Sequence, residues 1–237
     1  ANVNNMFEEK LVELQKKIGI EFKNTDILLQ ALTHRSYLNE NTSWPLEHNE
    51  RLEFLGDAVL ELVVTDHLYK NYPQPEGELT NWRAAIVNAV ILSKICGKFD
   101  LNDYILLSRG EAKDTGRARQ FILANAIEAL IGAIYLDQGY AMAEKFVDKF
   151  VIVELPTIIE QKAYRDSKSR LQEEAQDKVG ITPTYEVLKE WGPDHARNFE
   201  VGVFLGSELV GQGSGLSKQE AQQMAAEDAL KKKGWQI

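Results

Sequence analysis

The sequence lacks several features on which common protein classes depend. It has one cysteine in 237 residues, Cys96, which excludes an internal disulfide framework and a zinc site built from cysteines. It has no uninterrupted apolar run of the ~18–20 residues that cross a bilayer. Residues 1–10 lack the basic-then-apolar order of a signal peptide. We therefore expect a cytoplasmic protein with no membrane partner.

Positive charge is also in short supply. The chain has 36 Asp and Glu residues against 27 Lys and Arg residues, which gives a formal net charge of −9. That balance argues against a simple polycation that coats nucleic acid. It is compatible with a nucleic-acid enzyme whose acidic site binds a metal ion. The hydrophobic fraction of 44% is ordinary, so we expect a packed core.

The chain divides into two parts, and the first part is dominated by helical spacing of its apolar residues. This pattern extends from Met6 to about Glu160 and contains no convincing strand, so it predicts a mainly α domain over residues 1–160. The helices expected from apolar periodicity and from breakers are Glu50–Tyr69, Trp82–Phe99, Gln120–Tyr135 and Ala141–Val153.

The pattern changes after a short polar stretch, residues 161–165, which we predict to be a linker. Residues 166–237 then predict a small α+β domain in the order helix, strand, strand, strand, helix. Ser217 is expected to be the N-cap of the last helix, with Glu220 completing a capping box. Gly234 is expected to end it. The elements before it are Lys168–Lys178, Thr184–Leu188, Phe199–Phe204 and Leu209–Gly213.

Three acidic residues share one face of a predicted helix. At ~100° per residue, Glu50, Glu53 and Asp57 fall within an arc of ~60°. Like charges at this spacing repel one another, so a divalent cation such as magnesium is a natural partner. The alternative is a solvated acidic face, which is the commoner fate of clustered Glu. Gly56 costs helix stability and indicates close packing beside Asp57, which favours the metal site.

A second pair of polar residues has the same spacing. Asn125 and Glu128 lie three residues apart on one face of the helix predicted over Gln120–Tyr135. Glu128 is surrounded in sequence by apolar residues, and an unpaired buried charge is costly. It therefore needs a cation, a hydrogen-bonding neighbour or solvent. If this helix faces the first acidic helix, Glu128 completes a site with several carboxylates.

The nine residues from Asn49 to Asp57 read Asn-Glu-Arg-Leu-Glu-Phe-Leu-Gly-Asp. This segment resembles the signature of the ribonuclease III family, and the C-terminal part resembles a double-stranded-RNA-binding domain. Together the two resemblances cover nearly the whole chain, in the domain order of the minimal bacterial enzyme. Supporting motifs occur in order at Leu32–Tyr37, Glu76–Thr80, Arg83–Ala84 and Asn125–Asp137.

The resemblance implies a homodimeric, magnesium-dependent endonuclease of double-stranded RNA in which manganese can substitute. It would leave 5′-phosphate and 3′-hydroxyl ends and act in ribosomal and messenger RNA processing. By position, Phe54 would be an aromatic knob in the dimer interface, with ordinary core packing as the alternative. Asp57 and Glu128 would be catalytic, with Glu50 and Glu76 as auxiliary acids around the scissile phosphate. The implied metal positions are Glu53, Asp57, Asn125 and Glu128.

The resemblance also implies a set of RNA contacts in the C-terminal domain. Ser217 and Lys218 would meet phosphates across the major groove, and Arg197 could lie near them. Residues 165–237 hold 10 basic and 12 acidic residues, so we expect modest, salt-sensitive affinity from this domain alone. Gln172, Glu173 and Gln176 would face one minor groove, and His195, from the loop 192–197, would enter the next.

One position departs from the family pattern. The family usually has Asp where this chain has Asn125, and only the carbonyl oxygen of Asn can coordinate a cation. We therefore expect a chain that folds, dimerises and binds RNA but cleaves it poorly. Two alternatives stay open: a non-catalytic double-stranded-RNA-binding protein, and a helical metal-dependent hydrolase of another phosphate substrate. The RNA-binding domain disfavours the second.

Overall fold

A computed structural model describes residues 3–192 and 197–235, without the side chains of residues 3–6 and 162–166. The chain divides into two compact units, residues 1–156 and 157–237. The first unit is mainly helical, and the second holds a three-stranded antiparallel sheet with a helix before it and a helix after it. The fold class expected from the sequence is confirmed. The finer domain limits at residues 160 and 166 stay predictions.

Nine α-helices and three short 3-10 turns make up the described part of the first unit. Its only β pairing in that part is an isolated parallel bridge between Thr33 and Leu106. The helices are α1 (Val3–Ile18), α2 (Thr25–Ala31), α3 (Arg35–Glu40), α4 (Glu50–Asn71), α5 (Glu76–Ile86), α6 (Ala89–Cys96), α7 (Arg109–Lys113), α8 (Arg117–Gln138) and α9 (Tyr140–Phe150).

Two glycines allow the long helices α4 and α8 to touch at their backbones. A Cβ atom added to Gly56 would lie 1.7 Å from the carbonyl oxygen of Glu128, and one added to Gly132 would lie 2.3 Å from the carbonyl oxygen of Leu52. Neither position therefore accepts a larger residue without moving a helix. The close packing that the sequence indicated at Gly56 is confirmed. The contact places the acidic face of α4 beside Glu128.

The single helix predicted over Trp82–Phe99 is wrong, because the chain breaks it at Asn88. The Asn88 side-chain oxygen accepts a hydrogen bond from the Ile91 N–H at 3.1 Å and so caps the start of α6. Its amide nitrogen donates to the carbonyl oxygen of Ala85 at 2.6 Å. A short polar side chain that satisfies free N–H groups is a strong helix-start signal. The periodic apolar residues on both sides conceal it.

Helix α10 (Leu155–Val179) begins two residues before the second unit and continues into it. The other elements of the second unit are β1 (Thr184–Trp191), β2 (Asn198–Leu205), β3 (Glu208–Gly215) and α11 (Lys218–Lys233). The sheet order is β1-β2-β3, and all three strands are longer than predicted. Gly206, at φ +63°, makes the turn between β2 and β3. The bounds of α10 include residues 161–165, since polar composition without Gly or Pro does not end a helix. The core residues are Leu171, Ala175, Val201, Val203, Leu205, Val210, Ala221, Ala225, Ala226, Ala229 and Leu230.

Both expected ends of α11 are present. The Ser217 hydroxyl accepts from the Glu220 N–H at 3.1 Å, and Gly234 ends the helix in the left-handed region at φ +66°. The Glu220 carboxylate accepts from the N–H of Leu216 at 2.8 Å. The expected box therefore closes one residue before the cap instead of on Ser217 itself.

One helix in the described part of the chain, α8, is long and apolar enough to cross a membrane by length and composition. Half of that stretch is buried inside the protein. The core helix of a globular domain passes the same test, and α8 lies at the centre of the first unit.

Candidate active site and nucleic-acid interface

The acidic face of α4 begins at its first turn. Glu50 and Asp57 are exposed, and Glu53 between them is half-buried. Burial raises the pKa of Glu53 above its ordinary value, and the negative charges of Glu50 and Asp57 raise it further. Glu50 and Asp57 therefore act on Glu53, as their shared helical face predicts.

Glu128 on α8 joins this group across the glycine contact. Burial raises the pKa of the Glu128 carboxyl to about 8, and repulsion from Asp57, Glu53 and Glu61 adds to the shift. Among the residues that the structure describes, no Lys, Arg or His forms an ion pair with Glu53, Asp57 or Glu128. Three acids from two helices therefore meet at a place where no described cation compensates them.

Asn125 lies one turn before Glu128 on α8 and is half-buried. Its amide makes no side-chain hydrogen bond within residues 3–192 and 197–235. Its oxygen therefore has no described hydrogen bond and lies on the same face of α8 as Glu128. Glu61 was missed by the sequence analysis, although it lies four residues beyond Asp57 and continues the same helical face.

The donor set fits a hard divalent cation. Carboxylate and amide oxygens are the ligands such ions take. A bound cation would offset the burial and the repulsion that together raise the pKa values of Glu53 and Glu128. Across the described ranges, no three His, Cys, Asp or Glu side chains lie close enough together to hold a metal ion without moving. Glu53, Asp57, Asn125 and Glu128 are the candidate ligands, and we refer to them as the cation-binding cluster.

The two auxiliary acids have different surroundings. Glu50 lies 3.5 Å from the guanidinium of Arg35 and 3.9 Å from Nδ1 of His48, and it influences the pKa of Glu53. Glu76 starts α5 and accepts a hydrogen bond from the Thr80 hydroxyl at 3.4 Å. No described contact joins it to the cation-binding cluster. The structure therefore brings Glu50 to the site and does not bring Glu76.

Two hydrogen bonds of the buried residue Asn49 hold the start of α4 in place, and the sequence did not predict them. The amide nitrogen of Asn49 donates to the carbonyl oxygen of Ala31 at 3.1 Å. Its backbone N–H donates to the carbonyl oxygen of Thr33 at 2.9 Å. Asn49 is 3% exposed. These bonds hold Glu50 and Glu53 against the segment that carries the Leu32–Tyr37 motif.

Phe54 points away from the core. It is 82% exposed, so the alternative of ordinary core packing is wrong. Leu62 and Tyr69, also on α4, are 56% and 80% exposed. Tyr69 borders a recess between α4 and α5 that Leu68, Tyr72 and Leu79 also line. Large exposed apolar side chains that share one helix are typical of an interface.

The predicted RNA contacts on α10 are on the surface of the second unit. Gln172, Glu173 and Gln176 are all exposed and border one shallow groove. Their spacing of three and four residues places them on one side of the helix. The structure therefore brings these three together as the resemblance implied.

Two of the predicted RNA-contact residues, Arg197 and Lys218, lie close to Glu190, a residue that the sequence did not single out. The Glu190 carboxylate lies 3.5 Å from the guanidinium of Arg197 and 3.3 Å from Nζ of Lys218. Lys218 also stands over the ring of Phe199, 5.4 Å from its centre. Ser217 precedes it as the N-cap of α11. His195 lies outside the described residues.

Comparisons with known proteins identify a family match for each of the two parts of the chain. The sequence model of a family described as Ribonuclease-III-like matches residues 24–155, and that of the double-stranded RNA binding motif matches residues 167–233. A protein named Ribonuclease 3 from Borreliella afzelii is 46% identical over 229 residues, which are 96% of this chain and 93% of the relative. Another protein of that name, from Pelotomaculum thermopropionicum, is 44% identical over 95% of this chain and 94% of its own length.

A solved structure resembles the first unit. It is the nuclease domain of ribonuclease III from Campylobacter jejuni, which shows structural flexibility in a region involved in dimer formation. It is 39% identical, has a TM-score of 0.55, and the match covers 61% of this chain and 97% of that one.

Proposed function

The chain belongs to the ribonuclease III family, and on that premise we propose that it binds double-stranded RNA as a homodimer at a magnesium-dependent endonuclease site. The reaction is hydrolysis of a phosphodiester, which leaves 5′-phosphate and 3′-hydroxyl ends. The RNAs are ribosomal precursors and messengers, and the compartment is the cytoplasm. Manganese can replace magnesium.

The observation that carries the proposal is the meeting of Glu53, Asp57 and Glu128 at the backbone contact of α4 and α8. Burial and the charge of Asp57 raise the pKa of Glu53, burial and the charges of Asp57 and Glu53 raise the pKa of Glu128, and the three acids have no described cationic partner. A divalent cation resolves that repulsion. A magnesium ion held by these residues would supply a bound water of lowered pKa and would stabilise charge on the oxygens of the scissile phosphate.

The side chains divide the remaining work. Glu53, Asp57, Asn125 and Glu128 hold the cation through oxygen atoms, and Asp57 and Glu128 are the catalytic members because they hold it against the phosphate. Glu50 is an auxiliary acid beside the scissile phosphate, restrained by Arg35. Glu76 is the second auxiliary acid by family position alone.

Asn125 weakens this site. The amide gives one neutral oxygen where the family pattern gives a charged carboxylate, so the cation is held less tightly and with less negative charge around it. The fold tolerates the residue, because Asn and Asp have nearly the same shape. We propose that this chain binds double-stranded RNA and cleaves it poorly.

The test is a gel assay on a long RNA duplex with magnesium that scores binding and cutting together. Asn125→Asp is expected to raise the cleavage rate by at least about 100-fold, comparable to restoring one lost charge-stabilising group. Asn39→Asp adds the same charge at an exposed position of α3 and is the matched control. Equal cleavage by the parent and Asn125→Asp would refute the account of Asn125.

A second copy of the chain is the partner that the exposed residues of α4 support. Phe54, Leu62 and Tyr69 are far more exposed than apolar side chains on a packed helix normally are. We place Phe54 in the interface, where the recess lined by Leu68, Tyr69 and Leu79 offers space for an aromatic ring of the second copy.

The alternative function is a non-catalytic double-stranded-RNA-binding protein. Asn125 is the observation that favours it. Glu50, Glu53, Asp57 and Glu128 oppose it, because a site released from catalysis has no reason to keep four acids together. Binding without cutting by both the parent and Asn125→Asp would give this alternative the lead.

A further inference from the structure

Helix α8, although mostly buried, carries one large aromatic side chain that is exposed. Ten of its residues are buried, yet Phe121 near its start is 48% exposed. Exposing an aromatic ring forgoes the stabilisation that its burial would give. The site proposed above does not include Phe121.

Phe121 lies on the same face of α8 as the cation-binding residues. At ~100° per residue, Arg117, Phe121, Asn125 and Glu128 fall within an arc of ~80°. With a rise of ~1.5 Å per residue, Phe121 is about 6 Å and Arg117 about 12 Å along the helix from Asn125. Towards the N-terminus of α8, the face that carries Asn125 and Glu128 therefore presents first an aromatic residue, Phe121, and then a cation, Arg117.

Arg117 and Phe121 form a pair. The guanidinium carbon of Arg117 lies 5.8 Å from the centre of the Phe121 ring, within cation–π range. Arg117 is exposed, and no carboxylate in residues 3–192 or 197–235 forms an ion pair with it. In a chain of net charge −9, an arginine held by a ring instead of an acid stays available to an anion.

We infer that Arg117 and Phe121 form a ledge that binds the RNA strand next to its scissile phosphate. This inference rests on the proposed function and extends the same site. Arg117 contacts a phosphate of the strand. Phe121 packs against the adjoining ribose, since A-form RNA displays its riboses along a wide, shallow minor groove. The ledge positions the strand, and the cation-binding cluster performs the chemistry.

RNA fits this face better than a second copy of the chain does. The ledge is continuous with a site that takes a phosphodiester, and its one charge is opposite to that of the RNA backbone. The exposed apolar residues that favour a protein partner, Phe54, Leu62 and Tyr69, lie on α4.

The first experiment measures affinity for a long RNA duplex with the full-length chain, whose Asn125 limits cleavage during the measurement. Arg117→Ala is expected to weaken binding and to reduce the slope of log K against log salt by about 1, as loss of one phosphate contact does. Phe121→Ala is expected to weaken binding about fivefold with an unchanged slope, because packing of the ring against a ribose, roughly 1 kcal/mol of apolar burial, releases no counterion.

Two matched controls separate these effects from general surface changes. Leu136→Ala removes a side chain of similar exposure, 55%, near the other end of α8. Lys145→Ala removes an exposed cation from α9. Both controls are expected to match the parent in affinity and in salt slope.

The second experiment maps the positions at which the RNA strand is cut, in variants that also carry Asn125→Asp. Phe121→Ala is expected to spread the cuts over neighbouring phosphates, and Phe121→Tyr, which keeps the ring, is expected to restore a single position. A change that only loosened the fold would lower the rate without moving the cuts.

The outcomes distinguish the ledge from the proposed function. If the parent binds RNA and the Arg117 and Phe121 variants behave like their controls, the ledge is wrong and the proposed function stands. If the parent does not bind duplex RNA, both are wrong. If the variants instead lower the mass of the dimer in analytical ultracentrifugation, the face is a contact between copies and the ledge is overturned.

Discussion

Glu128 carries the largest consequence of a single residue in this molecule. Its place among apolar residues of α8 predicted that it needs a compensating partner, and the raised pKa of about 8 agrees. The size of the pKa shift could not be predicted from the sequence, because it depends first on the burial of Glu128 and then on Asp57, Glu53 and Glu61 of another helix. Helical spacing identifies the members of each face. Only the packing of α4 on α8 determines how strongly the two faces interact.

We predict that the metal-free protein loses stability as pH rises, because of Glu128. The folded-state pKa of about 8 lies above the ordinary value of 4.5. The proton on Glu128 therefore contributes stability that is fully present below pH 4.5 and is lost as pH rises through 8. Glu128→Gln should match the parent near pH 4.5 and exceed its free energy of unfolding by roughly 1–3 kcal/mol at pH 9, after allowance for partial exposure.

Urea unfolding in a chelator at several pH values measures this difference. Glu78→Gln, at an exposed position of α5, is the control and should give a constant difference. A Glu128→Gln difference that does not change between pH 5 and 9 would show that Glu128 keeps an ordinary pKa.

At the scale of the elements, the sequence predicted which segments are helices better than where they end. The helices of the acidic faces, the three strands and the cap of α11 were expected from periodicity, turns and Ser217. The break at Asn88 was missed, because apolar spacing continues across it, and an N-cap inside a periodic run is visible only once the hydrogen bond to Ile91 is known. The hydrogen bonds of Asn49 were not predicted, because their acceptors lie 16 to 18 residues away in the sequence.

We predict that Gly56→Ala separates α4 from α8. The added Cβ would lie 1.7 Å from the carbonyl oxygen of Glu128, which no side-chain rotation relieves. Ala gains about 1 kcal/mol in helix propensity, but the forced backbone shift outweighs it, so we expect a net loss of about 2–3 kcal/mol in unfolding free energy.

Gly77→Ala is the matched control for this change, because it lies in helix α5 with nothing within 4 Å of the added atom. It should be neutral or stabilising by up to about 1 kcal/mol. Thermal and urea unfolding compare the two. Equal stability of Gly56→Ala and the parent would show that the helices do not touch there.

The start of α11 gives a prediction for the second unit. Lys218→Ala removes one of the two cations held by Glu190, and it should weaken duplex binding and reduce the salt slope by about 1. Lys232→Ala, near the other end of α11 and paired with Asp228 at 2.7 Å, should leave both unchanged. Identical salt titrations for the two variants would remove Lys218 from the RNA interface.

At the scale of the whole molecule, the sequence predicted the order of the two folds and the acidic centre, while surface assignments needed the structure. An aromatic residue inside an apolar helix pattern has two interpretations, as a core residue or as an interface residue, and periodicity does not distinguish between them. Exposure separates them for Phe54. Exposure also identifies Phe121, which apolar periodicity does not distinguish from its buried neighbours.

We predict that Phe54 holds two copies together and contributes nothing to the fold of one. Its ring is 82% exposed, so Phe54→Ala should change the unfolding free energy of a single copy by less than about 0.5 kcal/mol. In a symmetric dimer each change is present twice, so the dimer dissociation constant should rise at least about 10-fold. Sedimentation over a concentration series measures it, with Val153→Ala, 55% exposed, as control. If Phe54→Ala dissociates no more readily than Val153→Ala, the exposed residues of α4 do not form the dimer contact, and the recess beside Tyr69 loses its proposed occupant.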